Sequence, residues 1–487
     1  MTARTQVEWI RAPAVAGTWY PGVAEVLAAT VDSYLSAVRR VDGVPLALIV
    51  PHAGYHYSGA VAAHGFKQLD RAQIDTAVVI AADHQLPISR PISVWARGGF
   101  QTPLGVLPVD EGIAARLLAH NPNIRFDAPA HDGEHPIEIE LPFLARVAPN
   151  AKIVPILMGD ADEGSVDLLA DALLAVLPDQ GAVVIASSDL SHYPEYGEAI
   201  RVDRATLAAI ESGSPEGLRA AVRRSMRQGV RNLATCACGE GPILVAMKVA
   251  RARGAVTISL LDYANSGDVE IEHRSQVVGY AAVMLWHYEP PRLNQGQEQI
   301  LLRQARTAVE TFVMDEPAPS APLRMYPSAP LRVHPSADDG DPELQRLSAV
   351  FVTLRVGGIL RGCIGQLRAD TPLQQAVQEK AVAAASADPR FPALRADELA
   401  DLRVEISVLS PLQRVGNPSE IEIGRDGLAV FDQGKKGVLL PKVAIERDWN
   451  RTDFLENTCL KAGLQRQAWK GEAAVYRFES LEIAEAG

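Results

Sequence analysis

VPLALIVPHAGYHYSG, residues 44–59, is the stretch that decides the fold of the first half of the chain. Its opening apolar run is typical of a buried strand, and a glycine-containing loop that carries His52 follows directly. The same succession recurs in TAVVIAADHQ, residues 76–85, where the loop carries His84. Open α/β sheets place their sites at the carboxyl ends of parallel strands, so we expect the two histidines to meet.

Two further apolar runs extend this pattern, AKIVPILMG at 151–159 and AVVIASSDL at 182–190. Amphipathic helical stretches lie between or after the runs, at 110–120, 165–177 and 241–254. Such alternation predicts an α/β domain in which helices flank a mixed or parallel sheet.

A break at HYEPPRLNQGQEQ, residues 287–299, divides the chain. Paired prolines and polar residues separate a strand-like run from a new helix there, so we predict domains at 1–290 and 297–487. The proline-rich segment 316–341 is predicted to be an extended loop. Strand-like runs at 349–367 and 402–415, together with helices at 298–313 and 371–388, make the second domain α+β.

The composition excludes several classes of protein. A chain of 487 residues with 47% hydrophobic and 22% charged residues suits a globular protein of two or three domains. The net charge of -12, without a long Lys/Arg stripe, argues against nucleic acid as a partner. Apolar runs fall far short of the ~20 residues that span a bilayer, and the N-terminus does not read as a signal peptide. Four cysteines are too few for a disulfide framework. We therefore expect a cytoplasmic protein without a membrane partner, and a homo-oligomer is compatible with the sequence.

The run SSDLSHY, residues 187–193, adds Asp189 and His192 at a third strand end. An acid and a base at this place could transfer protons in the same pocket as the two histidines. The alternative is a helix start, because aspartate and the neighbouring serines are good N-cap residues. In DGEHPIEIELPFL, residues 132–144, His135 is a secondary catalytic candidate beside Glu134, although the alternating pattern predicts packing against a sheet.

Two cysteines precede a predicted helix in ATCACGEGPI, residues 234–243. The helix N-terminus favours a thiolate, so Cys238 could join His52 and His84 as a metal ligand. The alternative is a buried apolar cysteine. Two imidazoles and one thiolate would leave coordination positions open, and the softness of sulfur admits iron, copper or zinc.

Seven phrases occur in one order over about residues 10–285 and resemble the Memo family, also called AmmeMemoRadiSam system protein B: AGTWYP, PHAGYHYSG, DHQLPISR, EHPIEIELPFL, SSDLSHY, CGEGPI and LLDYANSGD. The resemblance implies a fold similar to that of class III extradiol dioxygenases, which use non-haem iron. It also implies that the metal ligands are His52, His84 and Cys238, that Asp189 and His192 lie in the pocket, and that Trp19 and Tyr55 contact the substrate. The thiolate replaces a carboxylate of the dioxygenases, so ring cleavage does not follow from the resemblance alone.

The second half, about residues 297–485, resembles the AMMECR domain, or AmmeMemoRadiSam system protein A, through LRGCIGQL, SADPRFPAL, VEISVLSPL and GVLLPKVA. LRGCIG is the hallmark of that family and makes Arg361 and Cys363 candidate substrate-binding residues. The alternative is a buried strand with a small packed cysteine. Asp388, Arg390 and Glu405 are further polar candidates, which a salt-bridged scaffold explains equally well.

The leading functional hypothesis is a non-haem metal-dependent oxidoreductase, with Fe2+ as the expected metal. It would activate oxygen or a small organic substrate, such as an aromatic compound, with His192 as acid/base and Asp189 orienting it. The family name implies a radical S-adenosylmethionine enzyme as partner, and this chain lacks the Cys-x3-Cys-x2-Cys motif of such enzymes. The competing hypothesis is a non-catalytic metal-binding or peptide-binding adaptor.

Overall fold

The computed structural model of the chain divides into two compact units, Met1–His287 and Tyr288–Gly487. It describes residues 9–41, 43–70, 72–84, 92–159, 162–254, 257–287, 292–315, 341–367, 369, 371–432, 435–471 and 473–485. The predicted proline-rich loop at 316–341 lies outside the described residues except for Asp341.

The first unit combines strands and helices in alternation. Its strands are β1 (Ile10–Arg11), β2 (Val44–Val50), β3 (Thr76–Ala82), β4 (Ile92–Val94), β5 (Gly99–Thr102), β6 (Gly105–Pro108), β7 (Ile124–Arg125), β8 (Lys152–Met158), β9 (Ala182–Ser187), β10 (Thr257–Asn265) and β11 (Gly279–His287). Its helices are α1 (Ala24–Ser36), α2 (Tyr55–Phe66), α3 (Glu111–His120), α4 (Ala128–His131), α5 (Leu141–Val147), α6 (Glu163–Val176), α7 (Tyr196–Glu211), α8 (Pro215–Arg227), α9 (Glu240–Ala252) and α10 (Ser266–Val269).

The main sheet of this unit has the strand order β10-β11-β2-β9-β3-β8-β4-β7. Its centre is parallel, because β2 pairs with β9, β9 with β3, and β3 with β8 in parallel register. Strands β10, β11 and β2 pair antiparallel at one side, which makes the sheet mixed. The strands predicted at 44–50 and 76–82, and those within 151–159 and 182–190, are confirmed. Three parallel strands, β2, β9 and β3, therefore end at one edge, and candidate residues follow each of them.

Helices cover this sheet as the sequence pattern predicted. Helix α9 packs against β9 and β2 and against helix α6, while α2 packs against β10 and β11. Helix α3 begins where predicted, because the Asp110 carboxylate accepts a hydrogen bond from the Ile113 N–H. Among the helices that the structure describes, none is both long and apolar enough to cross a membrane.

The second unit is α+β, as the sequence predicted. Its helices are α11 (Gln295–Asp315), α12 (Leu373–Ser386), α13 (Pro441–Glu446) and α14 (Arg451–Lys461). Its strands are β12 (Ala349–Val356), β13 (Ile359–Gly365), β14 (Leu402–Leu409), β15 (Gln413–Arg414), β16 (Gly427–Asp432), β17 (Lys435–Leu439), β18 (Ala474–Phe478) and β19 (Ser480–Ala484). They form the antiparallel sheets β13-β12-β14-β19 and β15-β18-β16-β17. Helices α11 and α12 pack on the first sheet and α14 on the second, which gives each sheet its own apolar core.

Candidate metal centre

Three histidines converge at the carboxyl edge of the parallel strands. His52 follows β2, His84 follows β3, and His135 lies between α4 and the short 3-10 helix Glu138–Glu140. Their ring centroids are 5.2 Å apart for His52 and His84, 5.5 Å for His52 and His135, and 5.2 Å for His84 and His135. One nitrogen from each ring lies within 4.8 Å of the others. Burial decreases from His52 through His135 to the exposed His84, so the cluster opens to solvent on the His84 side.

Cys238 brings a sulfur atom to the same cluster. It directly precedes Gly239, the residue before helix α9, and its Sγ lies 3.3 Å from His52 Nε2. The Asp189 N–H also donates to this sulfur at 3.3 Å. Gly239 is required for the position, because a Cβ there would lie 2.7 Å from the carbonyl oxygen of Ser187. The close approach of the helix start to the end of β9 therefore places the thiol beside His52.

The surroundings of Cys238 favour the thiol rather than the predicted thiolate. The position at a helix N-terminus predicts a thiolate, but burial and the negative charge of Asp189 raise the pKa of the Cys238 thiol well above its usual range. Without a nearby cation the sulfur is therefore a thiol that can donate to His52 Nε2. Desolvation outweighs the helix dipole here.

Two of the imidazoles are held in the neutral form. Burial, together with the neighbouring rings of His84, His135 and His192, lowers the pKa of His52 well below its usual value. Desolvation also lowers the pKa of His84, and the Glu134 carboxylate only partly offsets it. Neutral imidazoles keep a free lone pair, which is what a metal ligand needs.

The Glu134 carboxylate holds the backbone of His84 and both the backbone and the ring of His135. Its carboxylate accepts hydrogen bonds from the backbone N–H of His84 at 2.6 Å and of His135 at 3.1 Å, and it lies 3.2 Å from the Nδ1 of His135. Burial opposes ionisation, but these bonds lower the pKa of Glu134 to about 2. An ionised Glu134 therefore holds the His135 ring by Nδ1 and leaves its Nε2 free.

Asp189 and His192 lie near the cluster, the first in contact with His52 and the second close enough for its charge to lower the pKa of His52. Asp189 is not an N-cap, because helix α7 begins only at Tyr196. Its carboxylate accepts a hydrogen bond from the His52 N–H at 2.8 Å. Burial raises the pKa of Asp189 to about 6, against the opposing influence of His192. The His192 Nδ1 lies 3.1 Å from the Leu190 carbonyl, so this ring is held by its own loop rather than by a direct bond to Asp189.

Trp19 lies beside the His135 ring of the cluster. Its ring is centred 4.4 Å from that of His135, and the side chain is 39% exposed.

The predicted substrate contact of Tyr55 is not supported by its placement. Tyr55 is only 4% exposed and its hydroxyl donates to the Ile139 carbonyl at 2.9 Å, so it serves the core.

Arg361 and Cys363 lie on β13 of the second unit. The guanidinium of Arg361 forms an ion pair with Glu398 and donates to the carbonyls of Pro392 and Ala393. With these donors engaged, its placement favours the scaffold over the predicted substrate contact. Cys363 is partly buried, and its sulfur accepts a hydrogen bond from the Thr353 hydroxyl at 3.3 Å.

The other polar candidates of this unit are also paired. Asp388 accepts from Arg390 through both oxygens and from the Cys363 N–H at 2.8 Å. Glu405 bridges Arg355 and Lys442 at 2.8 and 2.7 Å. A salt-bridged scaffold, the alternative considered from the sequence, accounts for both carboxylates.

Sequence reasoning passed over three polar residues that support the cluster. Ser187 bonds to the ring of His52, Glu140 bonds to Ser187, and Glu138 anchors the segment that carries Trp19. The alternating EIELPF pattern suggested packing against a sheet, yet the segment forms a 3-10 helix and α5. Glu138 is 0% exposed and Glu140 is 1% exposed. Buried glutamates would have pointed to a structural role, but their burial is visible only in the fold.

A mixed α/β sheet whose strand ends bring three imidazoles and a thiol together defines the first unit as a candidate metal-binding domain. The chain belongs to the Memo-like protein family, whose model matches residues 11–284. A second family model, AMMECR1, matches residues 304–483, which confirms the fusion of two domains. Membership of the Memo-like family gives the first unit a dioxygenase-like fold.

Curated relatives match the first unit over nearly their whole length. A MEMO1 family protein of Methanobrevibacter smithii is 33% identical over 286 residues, covering 56% of this chain and 98% of that protein. One from Aquifex aeolicus is 34% identical over 276 residues, with the same coverage. Among solved structures, the uncharacterized protein PH0010 from Pyrococcus horikoshii has 34% identity and a TM-score of 0.34, covering 40% of this chain and 93% of that one.

Proposed function

We propose that the first unit binds one metal ion through His52, His84 and Cys238 and acts as a non-haem metal-dependent oxidoreductase. The observation that carries this proposal is the cluster of His52, His84 and His135, whose nitrogens lie within 4.8 Å of one another, with the Cys238 sulfur 3.3 Å from His52 Nε2. These donors come from three different elements, which the parallel strands and helix α9 hold in place. Such a site is more precise than one formed by loops alone.

The donor atoms fit a first-row transition metal. A metal bound at about 2.1 Å to nitrogen and about 2.3 Å to sulfur holds the two atoms about 3.1–3.6 Å apart, for bond angles of about 90–110°. The observed separation of His52 Nε2 and Cys238 Sγ is 3.3 Å. His52 and His84 are already neutral, and a cation would displace the proton of the thiol.

Iron is the metal we propose, since the dioxygenase-like fold is the setting of non-haem iron chemistry. A mixed nitrogen and sulfur donor set also accepts copper or zinc, so the metal identity is part of the proposal. When bound, iron would supply a Lewis acid and a one-electron redox centre for oxygen or a small organic substrate.

The remaining polar side chains give the pocket acid and base groups. We propose that His192 moves a proton to or from the substrate, because its Nδ1 faces a carbonyl and its Nε2 is left free. Asp189 lies close enough to interact with that ring through space, because His192 lowers the pKa of Asp189. His135, held at Nδ1 by Glu134, presents Nε2 to the cluster either as a further ligand or as a second base.

The aromatic ring of Trp19 at the edge of the cluster favours a flat, small substrate. The exposed Trp19 ring beside His135 offers an aromatic surface on which a ring compound can stack. We propose an aromatic or related small organic substrate for this reason. The radical S-adenosylmethionine partner is proposed on the family relationship alone, and copurification of that enzyme with the full chain would test it.

The proposed turnover is tested by oxygen uptake. Anaerobically purified, iron-loaded protein is mixed with catechols, aromatic acids or cell extract, and oxygen consumption is recorded. We expect substrate-dependent uptake that is lost in His52→Ala and strongly reduced in His192→Ala. His120→Ala is the matched control, because that histidine is exposed at the end of α3. Metal retention without turnover, with and without the partner enzyme, would instead support the non-catalytic adaptor.

A further inference from the structure

The hydroxyl of Ser187 sits at the junction of three polar groups. Its Oγ lies 2.9 Å from His52 Nδ1, 2.8 Å from the Pro136 carbonyl oxygen and 2.7 Å from a carboxyl oxygen of Glu140. Ser187 is 0% exposed and Glu140 is 1% exposed, so solvent does not compete for these bonds. The serine thus ties the end of β9 both to the His52 loop and to the 134–140 segment.

Only one placement of the hydrogen atoms satisfies all three contacts of the Ser187 hydroxyl. A serine hydroxyl has one proton to donate and can accept two hydrogen bonds. The Pro136 carbonyl can only accept, so the serine proton goes there. The other two protons must then come from His52 Nδ1 and from Glu140, which means that Glu140 is a carboxylic acid.

The surroundings of Glu140 favour the neutral acid. Burial raises the pKa of Glu140 well above its usual value, and the Ser187 hydrogen bond offsets this only in part. The nearby charge of Asp189 raises it further. Glu134, six residues earlier, has its pKa lowered to about 2. Two glutamates in one segment therefore take opposite protonation states.

We propose that Ser187 is a positioning residue for His52: its hydroxyl donates to the Pro136 carbonyl and accepts from Nδ1, which keeps Nδ1 protonated and the Nε2 lone pair directed to the metal site. Glu140 is the neutral carboxylic acid that donates to the same hydroxyl. A protonated Nδ1 leaves Nε2 as the coordinating atom, and in the metal-free protein this atom can accept the Cys238 thiol proton. That Nε2 coordinates a metal rests on the proposed function, whereas the tautomer of His52 does not depend on it.

The tautomer is read directly in the metal-free full chain. Protein with 15N-labelled histidine is studied by NMR, and the His52 resonances are assigned from the His52→Ala spectrum. We expect a protonated Nδ1 and a bare Nε2 in the wild type and in Glu140→Gln, whose amide can still donate to Ser187. In Ser187→Ala, which has no hydroxyl to accept from Nδ1, the Nε2–H form should appear. A wild-type proton on Nε2, or an unchanged tautomer in Ser187→Ala, overturns the proposal.

The protonation state of Glu140 has its own readout. At pH 8 we expect an infrared band of a protonated carboxyl group in the wild type that is missing from Glu140→Gln. Its absence from the wild type contradicts a neutral acid.

Metal affinity then tests the positioning role, with Co2+ as the probe and its thiolate absorption as the signal. Loss of an outer hydrogen-bond partner typically weakens binding about 10–100-fold, which we expect for Ser187→Ala. Ser93→Ala is the matched control, because Ser93 is also buried and bonds to a histidine, His131, outside the cluster. Wild-type affinity in Ser187→Ala overturns the positioning role, while a wild type that binds no Co2+ refutes the proposed function and leaves the NMR result standing.

Discussion

Replacing Glu138 by glutamine should loosen the N-terminal segment that carries Trp19. The Glu138 carboxylate pairs with Arg11 at 2.5 Å, and the two side chains are 0% and 2% exposed. It also accepts hydrogen bonds from the N–H groups of Ala14 and Val15 and from the Tyr20 hydroxyl, at 2.7, 2.9 and 2.8 Å. The amide keeps the shape but removes the charge that balances the buried guanidinium.

The expected cost follows from the burial of this pair. Leaving one partner of a buried ion pair unbalanced typically costs about 3–5 kcal/mol. At about 1.4 kcal/mol for each factor of ten, amide exchange at Ala14 and Val15 should accelerate at least about a hundredfold. Hydrogen–deuterium exchange followed by mass spectrometry measures this on peptides that cover residues 10–20, separately from the second unit.

The exposed pair of Arg146 and Asp32 provides the matched control. These side chains are 41% and 49% exposed and form a two-point contact at the surface. Exposed pairs contribute about 0–1 kcal/mol, so Asp32→Asn should change exchange by less than about fivefold. Wild-type exchange of residues 10–20 in Glu138→Gln would refute the role assigned to this buried pair.

Three further predictions concern other parts of the chain. Burial raises the pKa of Asp203 from 3.8 to about 6, so its contribution to stability is complete below about pH 4 and is lost as the pH rises to about 6. Urea unfolding should show the wild type losing about 3 kcal/mol relative to Asp203→Asn between pH 3.5 and 6.5, and parallel pH profiles would contradict this. Gly239→Ala forces a Cβ against the Ser187 carbonyl and should displace Cys238, lowering Co2+ affinity at least about tenfold; unchanged affinity would show that α9 can shift without moving the sulfur. Arg361→Ala should destabilise the second unit by about 1–3 kcal/mol in thermal unfolding while metal content stays the same, and lost turnover with intact stability would restore Arg361 as a substrate contact.

Strand-end positions were the part of the site that the sequence predicted best. Apolar runs at β2, β3 and β9 could be recognised as buried strands, and parallel strands bring their carboxyl ends to one edge. His52 and His84 therefore could be placed together without the structure. His135 follows no strand, so its arrival at the same point depends on the path of the 132–140 segment, which short-range patterns do not reveal.

Protonation was harder to predict than position. The helix start near Cys238 suggested a thiolate, because the dipole is visible in sequence while the burial is not. Glu134 and Glu140 look alike in the sequence, yet one accepts N–H groups and the other faces a serine in an apolar interior. Long-range contacts decide such states, and they are set by tertiary packing rather than by local sequence.

The central claim is tested most directly by the metal content of anaerobically purified protein, measured by inductively coupled plasma mass spectrometry. We expect about one iron per chain in the wild type and in the His120→Ala control, and almost none in His52→Ala or Cys238→Ser. Equal metal content in the wild type and in both ligand variants would contradict a site built from His52, His84 and Cys238.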